Sequence, residues 1–353
     1  MDVDFTDEQT MLRDSAARLF DSAPAAKRWS LLAQAGFLAI PFDEEIGGMG
    51  GGAVEMMVVL EEAGKALAGD PLIGSLVLPA ELLRSLPDRE LAGEWSAGVA
   101  SGALRLALAH EEPDAGYGGA LATTARRDGD RWILVGEKAH VEAGEDADIF
   151  IVSAGTPDGL ALFRLDPATP GLRLRGVPGW DDRTTTRLSL DDVSVLAASC
   201  VAHGTEAERM LARAQDFATA AACAEAVGLM DAALKLTIDY LRTRKQFRVP
   251  LASFQVLQHR AVDMLTALEQ ARSAAMAAAS ACATGSDDER ARVVAQSKVQ
   301  VNKSARFIGQ AAVQAHGGIG LTEEYRLGAY FKRLTMLCQS YGDERYHLRR
   351  LAG

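Results

Sequence analysis

The spacing of apolar residues changes twice along this chain, and that change restricts the possible folds more than any single motif does. Up to about residue 103 the apolar positions recur at helical intervals. From about Leu104 to Val201 they alternate, and from about Glu206 onward the helical interval returns and persists. In the first segment the run from Thr6 to Phe20 places Met11, Leu12, Ala16 and Leu19 at helical spacing. Its Thr6, with Gln9 three residues on, forms a capping-box pattern. A second run, Ala53 to Leu67, reads as an amphipathic helix. The glycine-rich stretch before it, Glu44 to Gly52, reads as a loop, because its glycines follow no strand of a βαβ unit that would make them a phosphate cradle.

The alternating segment consists of short runs separated by turn signals such as Asp128-Gly129-Asp130 and Pro157-Asp158-Gly159. That pattern predicts a small antiparallel β domain, a barrel or a sandwich. Beyond it, Ala222, Ala226, Leu229, Ala233, Leu236 and Tyr240 step by four and three. So do Leu257, Ala261, Met264, Leu268 and Ala275, and then Val301, Ala305, Ile308, Ala312 and Ala315, where Gly317-Gly318 ends the helix. Long helices with short loops make a bundle, and abundant alanine permits close helix contact, including contact with another subunit. The expected organisation is therefore mainly α with a middle β domain. Residues 1–103 form a helical domain, 104–203 the β domain and 204–353 a helical bundle.

Composition removes several function classes. With 48 % hydrophobic and 24 % charged residues the chain reads as globular, and its net charge of -11 argues against a general nucleic-acid binder. Cys200, Cys223, Cys282 and Cys338 lie far apart, and the six histidines show no ligand spacing, so neither a disulfide framework nor a metal site is expected. No apolar run is read as reaching the ~18 residues of a membrane span. The acidic start, Met1 to Thr10, resembles neither a signal nor a transit peptide, which points to the cytoplasm.

Two long motifs carry a family resemblance. The segment YLRTRKQFRVPLASFQVLQHRAVDM (Tyr240 to Met264) and the segment QAHGGIGLTEEYRLGAYFKR (Gln314 to Arg333) resemble the signature segments of acyl-CoA dehydrogenases. Weaker matches fall in family order along nearly the whole chain: the Thr6 helix, the stretch from Gly136 to Ala154, and Leu188 to Val195. The resemblance implies a helical N-terminal domain, a middle β domain and a C-terminal four-helix bundle. It also implies FAD as cofactor, an acyl-CoA substrate and a dimer or tetramer. In the family, flavin takes a hydride from Cβ of the acyl-CoA while a carboxylate removes the α-proton, so the base and the donors around the flavin are the parts to look for.

One half of that site is matched. Family members hold the adenosine and pyrophosphate of FAD from the neighbouring subunit, through positions that here are Arg244, Gln246, Phe247, Gln314, Gly317 and Gly318. An arginine fork suits pyrophosphate oxygens, and paired glycines admit close backbone approach. The other half departs from the family. Glu111 stands where a flavin-binding Thr is expected and Tyr117 where a Ser is expected. The family's Trp-Ile-Thr-Asn segment is His140-Val141-Glu142-Ala143, so Glu142, which cannot donate when ionised, stands in place of a donor near flavin N5. The usual catalytic Glu is Gly342, and the alternative position, just ahead of an Arg in a minority of members, is Ala218 followed by Thr219. Asp343, one residue late, is the sole nearby carboxylate candidate for a base; otherwise Ser340 to Arg350 reads as a solvated polar tail or an interface contact.

Retention of the half that serves a neighbour and loss of the half that serves this chain resembles the non-catalytic subunit of a heteromeric acyl-CoA dehydrogenase, as in bacterial steroid side-chain degradation. The other readings are an active homo-oligomer using Asp343, a flavin-free assembly or binding protein, and a flavin oxidase or hydroxylase on the same scaffold.

Overall fold

The computed structural model describes residues 5–113 and 115–352. Five helices open the chain: α1 (Asp7–Ser22), α2 (Ala25–Gln34), α3 (Ala53–Ala66), α4 (Leu78–Arg84) and α5 (Arg89–Ala100). Eight strands follow: β1 (Leu106–Ala109), β2 (Thr124–Asp128), β3 (Arg131–Glu142), β4 (Ile149–Thr156), β5 (Gly159–Leu165), β6 (Leu172–Pro178), β7 (Thr184–Leu196) and β8 (Cys200–His203). Then come α6 (Gly204–Thr243), a hairpin of β9 (Lys245–Gln246) and β10 (Val249–Pro250), and helices α7 (Gln255–Thr284), α8 (Asp287–His316), α9 (Leu327–Leu337) and α10 (Glu344–Ala352). The order is helical, β, helical, as the periodicity implies.

The chain forms two compact units, and neither is one continuous stretch. One contains residues 1–24, 53–69 and 219–353; the other contains 25–52 and 70–218. In the first, α1 begins with the capping box expected of it. Thr6 Oγ1 accepts from the Gln9 N–H at 3.2 Å, and Gln9 Oε1 accepts from the Thr6 N–H at 3.1 Å. Helix α3 differs from its expected amphipathic form, since every residue from Met56 to Gly64 is buried, Glu61 and Glu62 included. Those carboxylates are matched by Lys65, which lies 3.1 and 2.7 Å from them, and by Arg272 against Glu61. Glycines let α3 approach α6 closely: a Cβ on Gly228 would lie 1.9 Å from the Glu61 carbonyl, and one on Gly64 would lie 2.3 Å from the Glu225 carbonyl. A bidentate ion pair, Arg333 Nε and Nη2 to the two Glu225 oxygens at 2.8 Å each, ties α9 to α6 in the buried interior.

An 18-residue window of α6 has a mean hydropathy of 1.4, enough by length and composition for a membrane span, and 89 % of it is buried inside the protein. This corrects the expectation that no run would reach that limit. The physical reason is the burial itself: a helix covered on most sides by protein needs apolar residues around most of its circumference. The polar C-terminal stretch also differs from a solvated tail. It folds as α10, and its His347 is 0 % exposed.

In the second unit the strands run β6-β7-β3-β2-β4-β5-β8, with β1 added beside β4. Phe150, Phe163, Leu134, Leu188 and Val193 centre the β core, with Trp132 edge-on to Phe163 at 5.5 Å. The sheet is not purely antiparallel as expected. β1 runs parallel to β4 over Leu106 to Ala109, and Thr124 of β2 pairs with Gly155 of β4 in parallel. The two short contacts share one edge of β4.

Candidate functional site

In the first unit the two motifs meet. Tyr240, one helical turn before Arg244, stacks on His316, the residue before Gly317, with ring centroids 4.3 Å apart. His316 Nδ1 donates to the Ala312 carbonyl at 2.8 Å, leaving Nε2 to accept from the Tyr325 hydroxyl at 3.2 Å. That arrangement selects the neutral imidazole, and burial lowers its pKa in the same sense. Tyr240, His316 and Tyr325 therefore brace the end of α6 against the end of α8, a link the family motifs contain but spacing alone did not single out.

This brace sets the candidate binding residues on an open surface. Arg244 directly follows α6, and the β9–β10 hairpin beyond it turns through Phe247 and Arg248 at φ of 52° and 68°. Two-residue hairpin turns with both φ positive normally use Asn and Gly, so each larger side chain here costs about 1–3 kcal/mol of backbone strain. Phe247 is consequently thrust outward and is 86 % exposed. Arg244, Gln246, Gln314, Gly317 and Gly318 are exposed as well. Gly317 adopts φ 64° and ψ -144°, a conformation that excludes a side chain, and a Cβ at Gly317 or Gly318 would meet no atom within 4 Å. An exposed arginine, an amide, an aromatic ring and two bare glycines, on segments joined by the Tyr240–His316 stack, suit a phosphate with an attached ring system, so these residues fit the adenosine-pyrophosphate half of FAD.

The Gly342 position that the resemblance assigns to the base lies elsewhere in the same unit. The turn from α9 into α10 places Tyr341 at φ 58° and Gly342 at φ 94°. A Cβ on Gly342 would lie 2.4 Å from Tyr346 Cδ1 and 2.5 Å from His347 Nε2. The volume into which a Glu side chain would leave is thus filled by the first turn of α10. His347 Nε2 donates to the Tyr341 carbonyl at 2.9 Å, and burial drives its pKa down to about 4. Thr219, the neighbour of fully buried Ala218 on α6, approaches the same carbonyl through Oγ1 at 3.5 Å. Neither Gly342 nor Ala218 carries a carboxylate. Asp343 Oδ1 accepts from the Tyr346 N–H at 2.7 Å, and the Asp343 carbonyl accepts from the His347 N–H at 3.2 Å. Asp343 is the N-cap of α10.

In the second unit two of the residues at positions that the resemblance assigns to the flavin, Glu111 and Glu142, carry carboxyl groups in specific surroundings. Glu142 ends β3, and its side chain lies over a single turn of π-helix, Ile73–Val77. A Cβ on Gly74 would lie 2.4 Å from Glu142 Cβ and 3.0 Å from its Oε2, so Gly74 makes the room that Glu142 uses. Glu111 is held between elements, its carbonyl accepting from the Ala139 N–H at 2.8 Å; burial and then the neighbouring Glu112 push its carboxyl up to about 7, against the pull of Lys138. Tyr117 is half-buried, and Asp114 between them lies outside the described residues.

Glu112, next in sequence, behaves oppositely. Burial would raise its pKa, but Lys138 Nζ at 2.7 Å and the N–H groups of Thr123 at 2.9 Å and Ala122 at 2.6 Å hold it at about 2. Lys138, fully buried, also donates to Ser153 Oγ and to the His110 carbonyl, both at 3.1 Å. This ion pair locks the loop after β1 to β3 and fixes where Glu111 sits. Among the described residues no cluster of three potential metal ligands occurs. All four cysteines are free thiols.

Comparison with known proteins gives this geometry its context. The acyl-CoA dehydrogenase N-terminal, middle and C-terminal domain families match residues 6–103, 107–193 and 208–352. The chain belongs to the acyl-CoA dehydrogenase family. It is 30 % identical over 313 residues to acyl-CoA dehydrogenase FadE12 of Mycobacterium tuberculosis, covering 85 % of this chain and 80 % of that one. The ChsE4-ChsE5 complex from Mycobacterium tuberculosis contains a chain that superposes with a TM-score of 0.90 at 26 % identity, covering 100 % of this chain and 98 % of that one. The Tcur3481-Tcur3483 steroid ACAD contains another, with a TM-score of 0.87, 30 % identity and coverage of 98 % and 96 %. Acyl-CoA dehydrogenases are FAD-dependent oxidoreductases acting on CH–CH bonds. Within this one, the residues fit the adenosine half of the cofactor better than the flavin half.

Proposed function

We propose that this chain is the non-catalytic subunit of a cytoplasmic heteromeric acyl-CoA dehydrogenase. It contributes Arg244, Gln246, Phe247, Gln314, Gly317 and Gly318 to the adenosine and pyrophosphate of an FAD whose flavin and acyl-CoA are served by a catalytic partner. The observation that carries this reading is the crowding at Gly342, where a Cβ would lie 2.4 Å from Tyr346 and 2.5 Å from His347. A base position that has only lost its carboxylate would keep an empty volume; here the volume is filled. Asp343 caps a helix, and Glu111 and Glu142 stand in place of the hydroxyl donors that the family directs at its flavin.

The partner reading has further support. Val256 and Val262 on the first half of α7 are 72 % and 61 % exposed, and Phe247 of the hairpin is exposed as well. Surface of that kind is covered by protein in oligomers. The structural relatives named for a two-component complex and for a steroid ACAD favour a homologous partner and a steroid or fatty acyl-CoA substrate.

The test is the visible spectrum of the chain purified alone and after co-expression with a homologous acyl-CoA dehydrogenase encoded beside it. A colourless chain that joins a yellow, acyl-CoA-reducible complex supports the proposal, and Arg244→Ala should strip flavin from that complex. If the isolated chain is yellow, is bleached by acyl-CoA and loses this in Asp343→Asn, the active homo-oligomer replaces it. A chain that never yields a flavin complex is an assembly or binding protein.

A further inference from the structure

The C-terminal helix lines a groove of about 470 Å³ whose walls include Arg306 of α8 and Arg345, Leu348, Arg349 and Ala352 of α10, with Asp343 and Glu344 also lining it. Arg345 and Arg349 lie one helical turn apart, as do Leu348 and Ala352, so one face of α10 presents two guanidinium groups beside two apolar side chains. The two carboxylates already have partners. Asp343 caps α10 through the Tyr346 N–H at 2.7 Å, and Glu344 lies 3.6 Å from Arg306 and 3.7 Å from Lys303. Among the described residues neither Arg345 nor Arg349 has an ion pair or a hydrogen-bonded partner.

That placement works against the fold. Like charges one turn apart on a helix repel. The macrodipole favours Arg349 in the last turn of α10 but disfavours Arg345 in the first. On a chain whose net charge is -11, two guanidinium groups without a protein partner, one of them at the disfavoured end of its helix, call for an anion. We propose that this groove binds a phosphorylated small molecule. Arg345, Arg349 and Arg306 grip its oxyanions, since guanidinium forks match phosphate oxygens, and Leu348 with Ala352 supports its organic part. The volume falls in the range of small-molecule sites, about 300–1,000 Å³. The groove does not use the residues of the Arg244 and Gly317 surface, so the inference stands or falls separately from the proposed subunit role.

The experiment is calorimetric titration with inorganic pyrophosphate and with ADP, on the protein as it purifies, carrying Arg244→Ala so that the other candidate phosphate surface is silenced. Saturable binding is expected, with ADP tighter than pyrophosphate because Leu348 and Ala352 then contribute. Adding Arg345→Gln and Arg349→Gln should weaken it by about tenfold or more for each charge-assisted hydrogen bond removed. Without ligand, the thermal midpoint should be no lower in the Arg345→Gln, Arg349→Gln variant. The proposal is overturned if Arg244→Ala alone abolishes binding, or if sodium chloride at matched ionic strength reproduces the heat. It is equally overturned if binding survives both glutamine substitutions, if ADP binds no more tightly than pyrophosphate, or if the ligand-free midpoint falls.

Discussion

Restoring a glutamate to the family's base position by Gly342→Glu should fail, and the structure says by how much. Gly342 sits at φ 94°, outside the regions open to L-residues, and a non-glycine side chain there costs about 1–3 kcal/mol in backbone strain. The new Cβ would lie 2.4 Å from Tyr346 Cδ1 and 2.5 Å from His347 Nε2. Neither atom yields freely: His347 is fully buried and hydrogen-bonded to the Tyr341 carbonyl at 2.9 Å. Overpacking of this kind adds about 1–3 kcal/mol. The sum, roughly 2–6 kcal/mol, is a large share of the 5–15 kcal/mol by which domains are stable. Thermal unfolding is the assay, with Gly342→Ala beside Gly342→Glu, because alanine carries the strain and the first clash without a charge. Both should lower the midpoint by several degrees, and co-expressed complexes should gain no second active site. A Gly342→Glu protein as stable as the parent, and newly able to reduce flavin with acyl-CoA, would refute the reasoning that the site has closed.

Asp343→Asn should leave acyl-CoA oxidation by the complex unchanged and the fold nearly so, since Asn also caps helices. Asp343→Ala should cost about 1 kcal/mol in chemical denaturation; a large drop in turnover for Asn would make Asp343 the base. Glu225→Gln leaves the Arg333 charge buried beside a neutral amide and should destabilise the first unit by about 3–5 kcal/mol, read from the urea midpoint. Glu111→Gln tests the raised carboxyl. Its folded pKa of about 7 lies above its ordinary 4.5, so the folded state holds the proton longer and the residue weakens the fold increasingly as pH rises from 4.5 to 7. The variant's midpoint should therefore exceed the parent's by a margin that grows through that window and is constant above it. A margin independent of pH would mean that Glu111 is not buried as described.

The order of helices and strands was legible because burial imposes a period, and the period survives any detail of packing. What escaped was set by contacts between segments remote in sequence. Helix α3 reads as amphipathic only if Glu61 and Glu62 face water, yet Lys65 and Arg272 meet them inside. Two strands of the β domain join β4 in parallel, which alternation cannot encode because it reports a face and not a direction. At the candidate site the same distinction holds. Arg244 and Gly317 belong to motifs whose residues are local, but their meeting depends on Tyr240 stacking on His316 across 76 positions of chain. Ser340 to Arg350 shows the limit most clearly. Its letters count acids, bases and hydroxyls, and from them Asp343 looks like a displaced base and the rest like a solvated tail. Backbone conformation overturns the solvated tail and gives Asp343 a capping role. The positive φ at Tyr341 and Gly342 turns the chain back on itself, Asp343 spends its carboxylate on the Tyr346 N–H, and His347 enters the interior under the Tyr341 carbonyl. From the letters alone Gly342 is only a glycine; with this turn, Tyr346 and His347 occupy the space beside it, so that space is part of the packing that holds α10.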